Sequence, residues 1–381
     1  MRKLMLIAVA LLLVTACRRE PELHLYDSAE VTFSLPVVNL SLEVMWNYEI
    51  GYEVTYDWKA EWYYGWDDTD KAIFGELGYT EPSVFNLRRY YTGDVPYAPH
   101  TTVQSDVIKG TSFQGRYNWG FWDLLVWNDV QTLDGVQSLN FDETTSLDYV
   151  TAYTNQSMQS SRYQAPRYTR SFYEPEPLFA AYRQAVEINR NLDGFEYDAQ
   201  HDIYVKRLPM QLVPMTYIYL TQVILHNNRG RIAAVDGSAN LSGMARSVVL
   251  NTGVAGKDAI TVYYKVRMKK DCTKGDERVD IVGGRLMSFG LCNTNANSIR
   301  RAEELADNTH HYMDVTMQFN NGMDSTFVFD VTKQVRERYK GGVITVELDV
   351  DTIPIPSRSG GSGFDAIVKD VEDGGTWEFD M

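Results

Sequence analysis

The stretch that most limits what this chain can fold into is Gly115-Arg116-Tyr117-Asn118-Trp119-Gly120-Phe121-Trp122-Asp123-Leu124-Leu125-Val126-Trp127-Asn128. From Phe121 to Trp127 it is apolar on both alternating faces except at Asp123, with Gly120 before it and Asn128-Asp129 after. A short, bounded run of aromatic and branched residues reads as a strand covered on both sides. Such a strand needs a layer above and a layer below, so a second sheet or a set of helices must pack over the first. Three Trp, one Phe and one Tyr fall in the eleven residues from Tyr117 to Trp127. Each such ring buries roughly 150–250 Å², enough together to anchor a large core.

The amino terminus carries the strongest local signal. Arg2 and Lys3 form a positive n-region, and Leu4 to Val14 form an apolar h-region of secretion-signal length, too short for a typical spanning helix. Val14-Thr15-Ala16-Cys17 then has the form of a bacterial lipobox, in which the cysteine becomes the lipidated first residue of the mature chain. An ordinary signal peptide with an incidental cysteine is the plainer alternative. Residues 1–16 are thus expected to be a signal peptide and residues 17–29 a tether, with acyl chains on Cys17, palmitate among them, holding the protein to a membrane. Two further cysteines remain, Cys272 and Cys292. In an exported protein they admit one disulfide between them or two buried reduced thiols.

At 381 residues the chain exceeds one small sandwich, and two domains are expected. Its 25 Tyr and 8 Trp suit strands and binding surfaces alike. Strand patterns recur at Val31–Leu35, Leu42–Tyr48, Tyr52–Trp58 and Pro82–Tyr91, ahead of the Trp-rich run, while Gly65-Trp66-Asp67-Asp68-Thr69-Asp70 breaks them as a turn. Thr151 to Ser171, rich in Ser, Gln, Tyr and Arg, reads as an exposed loop, or more sharply as a segment for processing or docking. Leu178 to Tyr182 is open between helix and strand. Ile203–Leu208, Met215–Leu225, Ala245–Leu250, Ala259–Met268 and Val343–Val350 are strands, and Met313–Phe319 with Thr326–Asp330 flank Asn320-Asn321-Gly322 as a hairpin. Ser298–Ala306 and Val331–Tyr339 are the expected helices, the latter ended by Gly341-Gly342. The reading is an all-β fold of two tandem β-sandwich domains, residues 30–200 with a long variable loop and residues 201–381. Each is built on one dominant apolar strand.

Chemistry is sparse in this sequence. A formal net charge of −15 argues against a nucleic-acid partner, which needs concentrated Lys and Arg. His310 and His311 are adjacent, so on a strand they point to opposite faces and do not share a metal. No HExxH, CxxC, GxSxG or phosphate-binding glycine loop occurs, and Gly283-Gly284 lacks the following Lys-Ser/Thr. Asp123 could serve as a general acid if burial raised its pKa, but no partner carboxylate is identifiable, and hydrogen bonding to a neighbouring loop is the favoured role. Asp67-Asp68-Thr69-Asp70 lacks the spacing of a calcium loop and reads as a solvated turn. No metal or cofactor is expected. Trp58, Trp62, Tyr63, Tyr64 and Trp66 form a second aromatic cluster, which either covers the end of a sandwich or offers rings on which a glycan could stack.

The lipobox at Val14 to Cys17, the double strand-rich body and the segment Asp123-Leu124-Leu125-Val126-Trp127-Asn128 together resemble the fimbrillin-like lipoproteins of Bacteroidales, in particular a domain of unknown function related to the anchor subunits of minor fimbriae. The resemblance implies two transthyretin-like or Ig-like β-sandwich domains. It also implies a lipid anchor in the outer membrane, surface exposure and no catalytic residue. Stalk subunits of that family polymerise by donating a strand into a neighbour's groove, while anchor subunits stay lipid-linked at the base. The expected function is therefore non-enzymatic: an anchor or assembly subunit of a fimbrium-like polymer in cell adhesion, with a fimbrial subunit as partner by strand donation. The alternative is a glycan-binding surface lipoprotein that uses the aromatics between Trp58 and Trp66.

Overall fold

The computed structural model of the protein describes residues 38–45, 57–130, 137–144, 148–155, 171–296, 310–356, 366–369 and 376–379, the first and the last two ranges as backbone. The signal, Cys17, the tether, the strand expected at Val31–Leu35, the helix expected at Ser298–Ala306 and most of the variable loop lie outside these residues.

In chain order the strands begin with β1 Val38–Met45, β2 Val84–Gly93, β3 Thr102–Lys109, β4 Ser112–Arg116, β5 Gly120–Asn128, β6 Leu139–Asp142 and β7 Thr151–Thr154. They continue with β8 Ser171–Tyr173, β9 Phe179–Ile188, β10 Glu196–Asp198, β11 Ile203–Gln211, β12 Val213–Pro214, β13 Tyr217–His226 and β14 Ile232–Ala245. Next come β15 Ser247–Val249, β16 Val254–Ala255, β17 Ala259–Lys274, β18 Glu277–Ser288, β19 Tyr312–Phe319, β20 Asp324–Asp330 and β21 Gly342–Asp349, then β22 Ala366–Lys369 and β23 Thr376–Phe379. The α-helices are short: α1 Trp58–Glu61, α2 Asp68–Phe74 and α3 Thr332–Glu337. The fold is all-β, in four sheets.

The Trp-rich strand sits where its pattern requires. β5 is the middle strand of the sheet β12-β9-β5-β2-β3. Its alternate residues Trp122, Leu124 and Val126 join Phe85, Leu87, Phe179, Leu208 and Met210 in one core. Leu208 and Met210 come from β11, in the sheet β10-β11-β1-β4. The opposite set, Leu125 and Trp127, packs with Leu139, Ala152 and Val248, which belong to the sheet β16-β15-β7-β6, and with Phe289 and Cys292. The strand is therefore the filling between two covers, and its two-sided apolar pattern follows from that position.

The remaining strands form one long sheet, β21-β13-β18-β17-β14-β19-β20-β22-β23, with β8 beside β17. It folds over on itself because β17 is long enough to serve two layers. Ala259 to Lys265 pair with β14, and Val266 to Lys274 pair with β18. The core between the layers holds Tyr219, Val223 and Leu225 from β13 against Leu241, Val262, Met313, Val315, Phe327 and Phe329. β13 is buried from Tyr217 to Leu225 because it is covered on both sides too. Its other face, with Ile218, Leu220 and Ile224, is covered by the segment from Trp58 to Tyr79. β11 and β12 still pair with β1 and β9, and β13 opens the long sheet, while β15 returns to pair with β7 and β8 joins the long sheet beside β17.

Several local expectations change. From Phe179 the segment Leu178–Tyr182 is strand, because Ala180 to Tyr182 pair with Trp127 to Leu125 of β5. The turn expected at Gly65–Asp70 instead runs into α2, since Asp67 and Asp70 form a reciprocal capping box that pre-pairs the first free amides of a helix. Trp58 lies in α1 and not on a strand, with the Asp57 side chain accepting from Lys59 N at 3.1 Å. The 14-residue β14 was hidden by its Asp236-Gly237-Ser238 interruption, where the pairing with β19 shifts register. The hairpin at Asn320-Asn321-Gly322 forms as expected, with Gly322 at φ +80°.

Candidate functional site

The expected aromatic site is assembled by the chain, but as a clamp. Gln222, fully buried on β13, accepts from Tyr63 N at 3.0 Å and Tyr64 N at 3.3 Å and donates to Glu61 O at 2.6 Å and Thr345 Oγ1 at 2.9 Å. The buried Tyr64 ring lies against Gly283, where an added Cβ would stand 2.4 Å from the ring. That is the use of this glycine: it leaves room for a ring, not for a phosphate. Trp58 and Trp62 lie over Ile218, Leu220, Met287 and Val343, while Trp62, Tyr63 and Trp66 cover Ile224, Val279 and Ile281. Trp62 and Tyr64 are tilted by 53° and Trp66 and Phe74 by 37°. Four of the five rings, those of Trp58, Trp62, Tyr63 and Trp66, stay partly exposed.

Beneath them lies a buried acid. Asp70 accepts from the Tyr64 hydroxyl at 2.8 Å, from Arg267 Nη1 at 2.7 Å and from Asp67 N at 2.9 Å, and pairs with Lys269 Nζ. Lys269 sits 4.2 Å from the centre of the Tyr64 ring and also pairs with Asp67. Burial, then the bond to Asp70, pushes the Tyr64 phenol well above its ordinary range. The amide of Asp70, helped by Lys269, holds the Asp67 carboxyl well below the usual carboxylate range. Arg267 and Lys269 stand two apart on β17, so their side chains leave the same face. That spacing was visible in the sequence, but its partner 197 residues earlier was not.

Asp123 meets three donor groups. Its Oδ1 accepts from Ala185 N at 2.8 Å, and its Oδ2 meets the Tyr182 hydroxyl at 3.0 Å and His100 Nε2 at 3.1 Å. Ala185 is the irregular residue of β9, at φ +53°, where the pairing with β5 shifts register. The carboxylate thus satisfies an amide that the bulge takes out of the ladder. His100 stacks on Tyr90 at 4.5 Å and turns Nδ1 to Asp148 at 2.7 Å. A carboxylate so occupied ties loops to a strand, the role expected for it.

The two cysteines lie in different surroundings. Cys272 packs beside Val279 and Ile281 on the outer face of the long sheet, while Cys292 is buried with Leu125, Trp127 and Phe289. They occupy separate apolar clusters, and no disulfide joins them. Burial pushes the Cys272 thiol up, away from the reactive thiolate. His310 is exposed and His311 is buried, as opposite faces require. Among the described residues no group of His, Cys, Asp or Glu could hold a metal ion.

The other feature of note is a sheet edge. β20 is buried through Ser325 to Phe329, and beyond β19 its free side is taken by β22 in parallel, Phe327 to Val328 to Phe329 facing Ala366 to Ile367 to Val368. β23 then lies antiparallel on β22. The edge is thus capped by the chain's own last strands. By contrast β3 pairs, among the described residues, with β2 alone and is exposed along most of its length. Its charges Asp106 and Lys109 blunt it as an edge.

Fold and sites together define an all-β protein in which the buried Asp70 and Asp123 tie other segments to the sheets. No helix among the described residues is long and apolar enough to cross a membrane. No family model and no curated protein matches the sequence. Solved structures do match. A candidate adhesin from Bacteroides ovatus is similar at 13% identity and a TM-score of 0.48, over 84% of this chain and 94% of its own. The fimbrial anchor protein Mfa2 from Porphyromonas gingivalis is similar at 9% identity and 0.38, over 90% and 95%. The tip fimbrial protein Mfa3 of the same organism, truncated at its carboxy terminus, gives 8% and 0.32, over 91% and 99%. These neighbours are proteins of the kind that the sequence resemblance names.

Proposed function

We propose that this is a non-enzymatic, lipid-anchored cell-surface protein that anchors or assembles a fimbrium-like polymer at the outer membrane. The observation that carries the reading is the lipobox Val14-Thr15-Ala16-Cys17 behind an apolar segment of signal length. From Cys17 to the first residue of β1 the chain has about 20 residues, a reach of up to about 70 Å when extended. An acyl-anchored Cys17 would leave the strand body that far into solvent. The two units, residues 30–200 and 201–381, would divide the work between anchoring and assembly.

The partner in this reading is a fimbrial subunit whose strand pairs with an edge of the long sheet. The capped edge at β20 suits that role. Its backbone groups are met by a short parallel strand, and parallel pairing is slightly weaker per residue than antiparallel. A donated strand would replace β22 and satisfy the same groups. A glycan-binding reading rests on Trp58, Trp62, Tyr63 and Trp66, whose rings stay partly exposed, and would take loss of polysaccharide retardation on Trp→Ala changes as its sign.

Anchoring is tested by Cys17→Ser, which should move the protein from the membrane fraction to the soluble fraction; unchanged retention would remove the anchor. Assembly is tested by a chain ended after Pro356. That chain should bind a labelled peptide of residues 366–379, and the full chain should not. Equal binding by both would show that β20 is not a strand-addition site.

A further inference from the structure

A cavity of about 350 Å³ opens between α2, the loop that follows it, the end of β5 and β18. Arg285 of β18 lines it, and is the only charged residue of the lining that is buried; Lys71, Glu76, Glu81 and Asp129 are exposed at the rim. Arg285 Nε donates to Leu77 O at 3.1 Å. Its two terminal nitrogens have no hydrogen bond or ion pair among the described residues. The nearby Glu174 accepts from Met287 N through its Oε2 at 2.9 Å, and its charge attracts the guanidinium without a direct bond between the two. The N–H groups at its tip line the cavity, where an acceptor on a ligand could take the place of water.

The surroundings narrow what can fill it. A guanidinium takes a planar carboxylate through two parallel bonds. Lys71 is already paired with Glu76 at 2.6 Å, so the rim is acidic on balance and repels a multiply charged anion such as phosphate. Phe74, Pro82 and Pro177 give apolar wall, and Thr80 and Ser83 give hydroxyls beside the rim acids. Asn128 stiffens the wall by donating to Pro177 O at 2.9 Å and accepting from Phe179 N at 2.7 Å. The volume lies at the small end for ligand sites, room for one ring. We infer that this cavity binds a sugar acid, with Arg285 gripping its carboxylate and the acidic, hydroxylated rim taking its hydroxyl groups. This site is separate from the aromatic cluster and does not depend on the lipid anchor or on assembly.

The test is calorimetric titration of the full chain with glucuronate, glucose and inorganic phosphate. Glucuronate should bind, and the neutral sugar and phosphate should bind at least ten times more weakly. Arg285→Gln should weaken glucuronate by about 10- to 100-fold, the range for a charge-assisted pair. Because a change at a buried position can disturb folding, Gly78→Trp supplies a second arm. Gly78 lines the cavity, and an added Cβ there meets nothing within 4 Å, so a large side chain should fill the space, keep the melting transition and abolish binding. The inference is overturned if glucose binds as tightly as glucuronate, if phosphate does so, if no probe binds, or if folded Arg285→Gln or Gly78→Trp protein binds glucuronate unchanged.

Discussion

Two acids in this protein are buried to the same degree and held in opposite ways. Asp70 is fully covered and meets two cations, Arg267 and Lys269, besides a phenol and a helix amide. Asp123 is 2% exposed and meets an amide, a phenol and an imidazole. The first site neutralises its charge across the long sheet and thereby fastens the segment from Trp58 to Tyr79 onto it. The second spreads its charge over the donors of one bulge and one loop. Burial alone therefore does not tell what an acid is for; its partners and their distance along the chain do.

The largest effect is expected where removal strands charge. Asp70→Ala leaves Arg267 and Lys269 with the half-exposed Asp67 as their one shared acid and opens the capping box of α2, at about 3 kcal/mol, the low end for breaking a buried pair. Asp123→Asn keeps size and one acceptor, and should cost about 1–3 kcal/mol by leaving one donor unmet. Urea unfolding of the two variants against the parent checks the order. If Asp123→Asn proved the more damaging, the contrast between the two sets of partners would be wrong.

A middle effect should come from the seat of Tyr64. Gly283→Ala sets a methyl 2.4 Å from the Tyr64 ring, so ring and clamp must shift, at about 1–3 kcal/mol. The same change on a Tyr64→Ala background should cost much less, because the ring that the methyl would strike has gone. A double-mutant cycle measures this. Additive costs would mean that Tyr64 is not what requires glycine there.

What could be seen in advance follows from how far information travels along the chain. β5 and β13 were legible because burial on both faces writes itself into consecutive residues. The hairpin after Phe319 was legible because turn chemistry is local. The helix at Asp68 was legible too, in Asp67-x-x-Asp70 ahead of Ile73-Phe74 and Gly75, but the acids there read more readily as a solvated turn. The charge network was not legible, since Asp70 and Arg267 are brought together only by the folding of the long sheet. The cavity at Arg285 was hidden for the same reason: its walls come from four separate stretches of sequence. Pairing of β11 with β1 likewise crosses the expected division near residue 200, which no composition change marks.

The smallest effect distinguishes the two acids by pH. Tyr64 and Tyr182 each donate to a buried Asp, and burial raises both phenols above their ordinary range, with the neighbouring carboxylate adding to it. A raised folded pKa means that the native state keeps protons which the unfolded chain gives up above about pH 10. The associated stability is fully present below that pH and is lost as pH rises through the folded values. Tyr182→Phe should cost about 1 kcal/mol at pH 8, the net value of one hydrogen bond, and should make the decline between pH 10 and 11 shallower by removing one retained proton. Tyr64→Phe should flatten the decline equally but cost less at pH 8, because Arg267 and Lys269 remain on Asp70 while Asp123 is left with an amide and an imidazole. Urea midpoints at pH 8, 10 and 11 separate the two variants. Equal costs at pH 8 would show that the cations at Asp70 do not substitute for the phenol.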